Sequence, residues 1–344
     1  MVRGTLHPTA KASGVSLPLH PVHPKFTEPR AYICNADSNL VSVLNPATGA
    51  TLAEIKTVAS PLGVTVSHSG NSVYISNGYG VSVANAKTNE IINTIPTKTL
   101  TTGYLAISPD DTRLYVVCKD GLSIIDLTKD GGKEISFVDG VSAMGIETSE
   151  DGKYVYTTDW GKCKLQVTNT ETGKLEMMIN LLSRDLPQGT SMWKGGQVAT
   201  AGQAVGLDVS PDGKHAAVGI WAGSFVPIID LHNLVMEETV SLNGRSYQGV
   251  AYSPDGSRLY IAHYDGNRIV VLDVPSYAHA AYIPVGKSPK NLEITPDGKY
   301  MYITHEDDNV EIIGLPDGDR LKTLNVIASK DGKNIAFNPA ATAG

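Results

Sequence analysis

Ser253-Pro254-Asp255-Gly256 sits between two short apolar runs, Gly249-Val250-Ala251-Tyr252 before it and Leu259-Tyr260-Ile261-Ala262 after it. Proline presets φ for a turn, aspartate caps it, and glycine accepts the positive φ that closes it. The flanking runs are rich in the β-branched and aromatic residues that suit strands. After a polar turn comes a third run, Ile269-Val270-Val271-Leu272-Asp273, and a fourth, more polar one covers 279–284. The unit reads as four strands joined by tight turns.

The unit recurs along the chain. Ser67-His68-Ser69-Gly70, Ser108-Pro109-Asp110-Asp111, Ser149-Glu150-Asp151-Gly152 and Ser210-Pro211-Asp212-Gly213 precede it. Thr295-Pro296-Asp297-Gly298 and a decayed Asn338-Pro339-Ala340 follow, and the steps are 41, 41, 61, 43, 42 and 43 residues. A period of about 40–45 residues with four strands per repeat predicts a β-propeller. Seven repeats predict an all-β, seven-bladed ring of four-stranded antiparallel blades. The first repeat opens at Arg30 with a second-type strand over 31–34, and the chain carries an orphan innermost strand over 333–337. Pairing of these two segments closes the ring and removes its open edges. The predicted organisation is an extended arm over 1–29 with five prolines, one propeller over 30–339, and a tail over 340–344.

The hydrophobic fraction of 41% is enough for a core spread between blades. The net charge is −7, with no run of lysine or arginine, which argues against a nucleic-acid partner. No apolar stretch approaches the length of a membrane span. Residues 1–29 lack the apolar core of a signal peptide, so the chain reads as cytoplasmic or as a mature extracytoplasmic protein without its leader. His20-Pro21-Val22-His23 reads as part of the arm rather than a metal pair. Cys34, Cys118 and Cys163 form no Cys-x-x-Cys motif, which leaves haem attachment and structural zinc unsupported. Free thiols are expected in preference to a Cys118–Cys163 disulfide.

The second strands read Tyr32-Ile33-Cys34-Asn35, Tyr74-Ile75-Ser76-Asn77, Tyr115-Val116-Val117-Cys118 and Tyr302-Ile303-Thr304-His305. The third strands read Val41-Ser42-Val43-Leu44-Asn45 or Leu122-Ser123-Ile124-Ile125-Asp126. Together with the Ser-Pro-Asp-Gly turns, these resemble the YVTN family of seven-bladed propellers over Arg30 to Pro339. The resemblance implies the fold. It leaves activity open, since that family includes surface-layer and periplasmic binding proteins. Lactonases and the β subunits of quinoprotein amine dehydrogenases are more distant relatives.

Antiparallel strands alternate direction, so the Pro-Asp-Gly turns lie on one face of the ring. The second-to-third turns and the blade-to-blade connections lie on the other, called here the top face. The long step of 61 places an insertion over about 181–203 on that top face, with Arg184, Asp185 and Trp193 as candidate lid residues. Each second strand ends at the top face, at Asn35, Asn77, Cys118, Asp159, Ile220, His263 and His305. The family resemblance implies asparagine there, so His263 and His305 become candidates for acid–base or metal chemistry, with Asp159 and Lys290 beside them. Polar turn residues bonded to backbone are the competing reading. Trp160, Trp221, Tyr264, Arg245, Gln248, Lys333, Trp193 and Tyr104 are candidate ligand contacts. Glu147, Asp208 and Glu293, on the innermost strands, are expected to meet a solvated channel and are the acids that would suit a bound divalent cation. No organic cofactor is predicted. Asn45, Asn85, Asp126, Asn169, Asp230 and Asp273 end the third strands and are expected to cap turns.

Three functions follow, in order of support. The first is a propeller that binds a small ligand or protein partner at the top-face channel mouth. The second is a cofactor-free or metal-assisted isomerase, cyclase or lactonase using His, Lys and acid residues at the same mouth. The third is a subunit of an amine dehydrogenase-like complex. No Gly-x-Ser-x-Gly, His-Glu-x-x-His, Walker or dinucleotide motif favours a particular chemistry.

Overall fold

The computed structural model describes residues 29–78, 80–182, 202–307, 309–316, 318, 320–325 and 335–337, with backbone alone at 320–322 and 325. Seven four-stranded antiparallel sheets form the ring, so the expected architecture is the observed one. Blade 1 spans 31–56 and takes its innermost strand from Ile335–Phe337. Blades 2 to 7 span 63–96, 101–139, 146–180, 203–241, 247–284 and 289–325. Closure runs through Ile335 opposite Ile33, Ala336 opposite Tyr32 and Phe337 opposite Ala31. Positions 333 and 334 of the expected closing strand, the arm before residue 29 and most of the 181–203 insertion lie outside the described residues.

Period-2 alternation explains the packing, because each strand sends successive side chains to two different neighbours. In blade 2, Val73 and Ile75 pack toward blade 1 while Tyr74 packs toward blade 3. The buried apolar residues accordingly divide into seven clusters, one per interface between blades. The last joins Tyr302, Val310 and Ile312 of blade 7 to Ala31, Ile33, Leu44 and Ile335 of blade 1. Innermost strands approach closely where glycine leaves room: a Cβ on Gly63 would lie 1.7 Å from the Gly103 carbonyl oxygen. Cys34, Cys118 and Cys163 are buried and free. Burial pushes the Cys163 thiol up to about 12, far from a reactive thiolate.

The repeated tetrapeptide has a hydrogen-bond logic. Its hydroxyl donates to the aspartate two residues on, as Ser108 to Asp110 (2.6 Å), Ser149 to Asp151 (2.8 Å) and Thr295 to Asp297 (2.6 Å). The same oxygen accepts the N–H five residues on, at Arg113, Tyr154 and Tyr300. Neighbouring turns also stack, so that a Cβ on Gly152, Gly256 or Gly298 would touch Pro109, Pro211 or Pro254 of the preceding blade.

Blades 2 and 3 break this stack by a paired exchange. Histidine replaces the proline at His68 and aspartate replaces the glycine at Asp111. Asp111 then accepts from the N–H of His68 (2.7 Å), the N–H of Ser69 (2.8 Å) and the His68 ring (3.0 Å). These bonds hold a non-glycine residue at φ +59°. They outweigh the cost of partial burial and depress the Asp111 carboxyl to about 2. The stabilisation is therefore complete above the ordinary value of 3.8 and is lost as pH falls toward about 2. Asp111→Gly is expected to lower stability by about 1 kcal/mol near neutrality, after relief of the left-handed strain is deducted. Urea titrations should show that gap narrowing between about pH 5 and about pH 2. A gap that stays constant across this range would rule the account out.

The third-strand caps hold in five blades. Asn45, Asn85, Asp126, Asn169 and Asp230 each accept the N–H two residues on, at 2.8–3.0 Å. Asp273 departs from the expectation: two residues on stands Pro275, which has no N–H to give. Its carboxylate pairs instead with Arg258 on the adjacent strand. On the outer side, every fourth strand carries a register shift against the third, always near its start. The residue bulged out is Leu52, Ile92, Ile135, Glu176, Glu237, Ala280 or Leu321 in turn.

Candidate functional site

At the top face, in blades 1, 2, 3 and 7, the second strand ends beside a polar position on the third strand, and the two side chains meet. Asn35 donates to Ser42 (2.7 Å) and Asn77 to Ser82 (2.6 Å). Cys118 and Ser123 are in contact at 3.5 Å. His305 faces Glu311, with Nε2 3.3 Å from Oε2 and both side chains almost fully buried. Glu311 also accepts the Gly286 N–H (2.7 Å), and His305 Nδ1 lies 3.0 Å from the Lys287 carbonyl. Ser42, Ser82, Ser123 and Glu311 lie opposite Ile33, Ile75, Val116 and Ile303, so they share one position of the repeat. The histidine at His305 and the acid at Glu311 therefore depart from the repeat together.

His263 finds its partners within blade 6 and the connection leading into it. Its Nδ1 accepts from Arg268 Nε (3.2 Å), its ring lies against Tyr247 with centroids 4.6 Å apart, and the Arg245 carbonyl accepts from the ring. Burial, then the Arg268 charge, lowers its pKa, so the imidazole is neutral near pH 7. A neutral ring that accepts at one nitrogen and donates at the other bridges the turn to that connection. Arg268 is held in turn by the Asn243 carbonyl and the face of Tyr282. The two histidines sit in separate networks, each drawn from its own blade and the connection leading into it.

The other expected residues divide clearly. Asp159 is buried, caps its turn through the Lys162 N–H (3.0 Å) and pairs with the Lys162 ammonium (3.4 Å). Lys290 pairs with Glu306 at 2.5 Å. Asp208 accepts the Tyr252 N–H of the next innermost strand (2.7 Å) as well as that of Val209 (2.9 Å), so it clips blade 5 to blade 6. Glu147 and Glu293 are half-buried opposite Tyr156 and Tyr302. Tyr104 is buried in the interface between blades 3 and 4. The Gln248 carbonyl takes the space that a Cβ on Gly219 would fill, at 1.6 Å. Lys333, Trp193, Arg184 and Asp185 lie outside the described residues. No group of three or more His, Cys, Asp and Glu among the described residues could hold a metal ion.

Two tryptophans on neighbouring blades remain open to solvent, with a half-buried tyrosine beside the second. Trp160, in the turn of blade 4, is 39% exposed and Trp221, at the end of the second strand of blade 5, is 40% exposed. Tyr264 of blade 6 stands against Trp221 with ring centroids 6.2 Å apart. Arg245 is exposed in the adjoining connection. Sequence reasoning singled out these aromatics but not Glu311 and Arg268. Their signal is a column in the third strand, visible only after strand register is known.

No protein-family model matches the chain, and no curated protein matches it. Among solved structures, hydrazine synthase of Kuenenia stuttgartiensis superposes with TM-score 0.67 at 18% identity, covering 89% of this chain and 99% of that one. A putative 6-phosphogluconolactonase from Bacteroides uniformis does so with TM-score 0.67 at 19% identity, covering 90% and 99%. The likeness is one of fold. No helix among the described residues is long and apolar enough to cross a membrane.

Proposed function

We propose that the chain is a YVTN-type propeller that binds a ring-bearing small molecule on its top face, over blades 4 to 6. The exposure of Trp160 and Trp221 on successive blades carries this reading, because a large aromatic face left in water gains most by covering an apolar partner. Tyr264 extends the platform, and Arg245 offers a charge-assisted donor at its edge. A catalytic role for the histidines draws less support, since both ring nitrogens of His263 are engaged and His305 faces a buried carboxylate.

Two of the three tryptophans of the chain belong to this surface, so their emission reports on it. Titration with a panel of sugars, sugar δ-lactones and aromatic acids is expected to quench emission saturably for at least one class. Trp221→Ala and Trp160→Ala should each weaken that ligand by about tenfold or more while the melting temperature stays within about 2 °C. Equal affinity in wild type and both variants would refute the proposal. Proton release from a δ-lactone, abolished in His305→Asn, would move the reading to the enzyme.

A further inference from the structure

On the Pro-Asp-Gly face, arginine two residues before the second-strand tyrosine recurs in blades 1, 3 and 6, at Arg30, Arg113 and Arg258. In the first two, the guanidinium crosses to the next blade and donates to a main-chain carbonyl just after its third strand. Arg30 reaches Ala86 (2.5 Å) and Arg113 reaches Thr170 (2.5 Å). At the boundary between blades 7 and 1 a tyrosine does the same job, Tyr302 donating to the Pro46 carbonyl at 2.9 Å. Gripping a neighbour's carbonyl is thus a repeated device of this molecule.

Between blades 6 and 7 the device is present but its grip is not made. The matching acceptor segment is Leu315-Pro316, which follows Gly314, the end of the blade 7 third strand. Arg258 turns back instead to Asp273, the carboxylate left without a cap by Pro275. Neither Arg258 nor the Tyr260 hydroxyl donates to a carbonyl among the described residues. What remains is an open groove of about 520 Å³, lined by Ser257, Arg258, Tyr260, Pro296, Lys299 and Pro316. That volume lies within the range of sites that take small ligands and short peptides.

The chemistry of the walls selects an occupant. The donors are of the kind that elsewhere in this chain hold a peptide carbonyl, and prolines supply the apolar surface. Asp255, Asp273 and Asp297 outnumber Arg258 and Lys299 around the opening, which disfavours an anion. The Asp255 and Asp297 carboxylates are engaged by their own turns. A polyproline II segment satisfies these conditions, because its carbonyls have no internal partner and its surface is apolar. We propose that this groove binds an extended, proline-containing segment of a partner protein, uncharged or basic. The segment's main-chain carbonyl takes the place of the missing blade 7 acceptor on Arg258 and Tyr260.

The probe is a fluorescein-labelled, C-amidated Pro-Leu-Pro-Ala-Pro-Leu-Lys peptide, read by anisotropy against the full chain. Saturable binding is expected. Arg258→Met, which keeps bulk and removes the donors, should weaken it at least about tenfold. Ser257→Trp, which fills the groove from an exposed position and removes no core contact, should do the same and serves if the first variant is poorly folded. Glutamate in place of the lysine should weaken binding roughly threefold through the local acidic excess. Trp221→Ala, on the opposite face, should leave the peptide affinity unchanged, so this site and the aromatic platform fail or stand separately. Absence of saturable binding, or affinities for Arg258→Met and Ser257→Trp within about twofold of wild type, overturns the proposal. So does equal binding of the glutamate peptide.

Discussion

Removal of residues 335–344 is expected to abolish cooperative unfolding of the ring as one unit. Among the described residues, Ile335–Phe337 is the part of blade 1 drawn from the far end of the chain, and it fills the innermost position opposite Ala31, Tyr32 and Ile33. Without it, Ile33 and Tyr302 lose the cover of Ile335, and Tyr302 also loses the edge-on contact with Phe337 (centroids 5.1 Å apart). Loss of one buried residue of this size costs about 2–5 kcal/mol, and the backbone edge of the second strand is bared as well. The sum is comparable with the 5–15 kcal/mol that stabilises a typical domain. In urea, circular dichroism and tryptophan emission should then follow separate, shallower transitions. One coincident transition at the wild-type midpoint would show that the seven interfaces do not depend on closure.

The second large effect is expected at the buried pair of blade 7. Glu311→Ser leaves the Gly286 N–H without its carboxylate acceptor and His305 without its facing charge. Breaking a buried pair by removing one partner costs about 3–5 kcal/mol. His305→Asn alone strands the Glu311 carboxylate and should cost a similar amount. The double variant installs the Asn–Ser pair that blades 1 and 2 already use at 2.7 and 2.6 Å. Its loss of stability should therefore fall short of the sum of the single losses by roughly 1–3 kcal/mol, measured as a double-mutant cycle. Additive losses would show that His305 and Glu311 act independently. Recovery would also show that the histidine at this corner is a packing choice of its blade.

The architecture was legible because each element of the repeat has one physical job. Serine, proline, aspartate and glycine at fixed offsets specify a turn, and short continuous apolar runs between turns specify strands buried on both faces. The closing strand followed from counting. The candidate site was less legible, and for a definite reason. A residue that departs from its column, such as His305, looks functional until its diagonal neighbour is known, and Glu311 becomes that neighbour only through strand register. Asp273 shows the converse: it matches its column, yet Pro275 two residues on removes the cap donor and sends the carboxylate to Arg258. Trp160 and Trp221 stand out in the sequence because nothing in the repeat calls for a large aromatic there.

The seven bulges at the rim bear on how copies of this molecule meet. A closed ring hides its inner edges but leaves seven outer strands, each with a row of backbone donors and acceptors facing outward. A regular strand in that position is a template on which a second copy can extend the sheet. One extra residue near the start of every outer strand shifts the register there and twists the edge away from a flat partner. Two rings brought side by side can match only a few consecutive hydrogen bonds before the phases disagree. The bulged rim is therefore a poorer template for edge-to-edge pairing than seven regular strands would be.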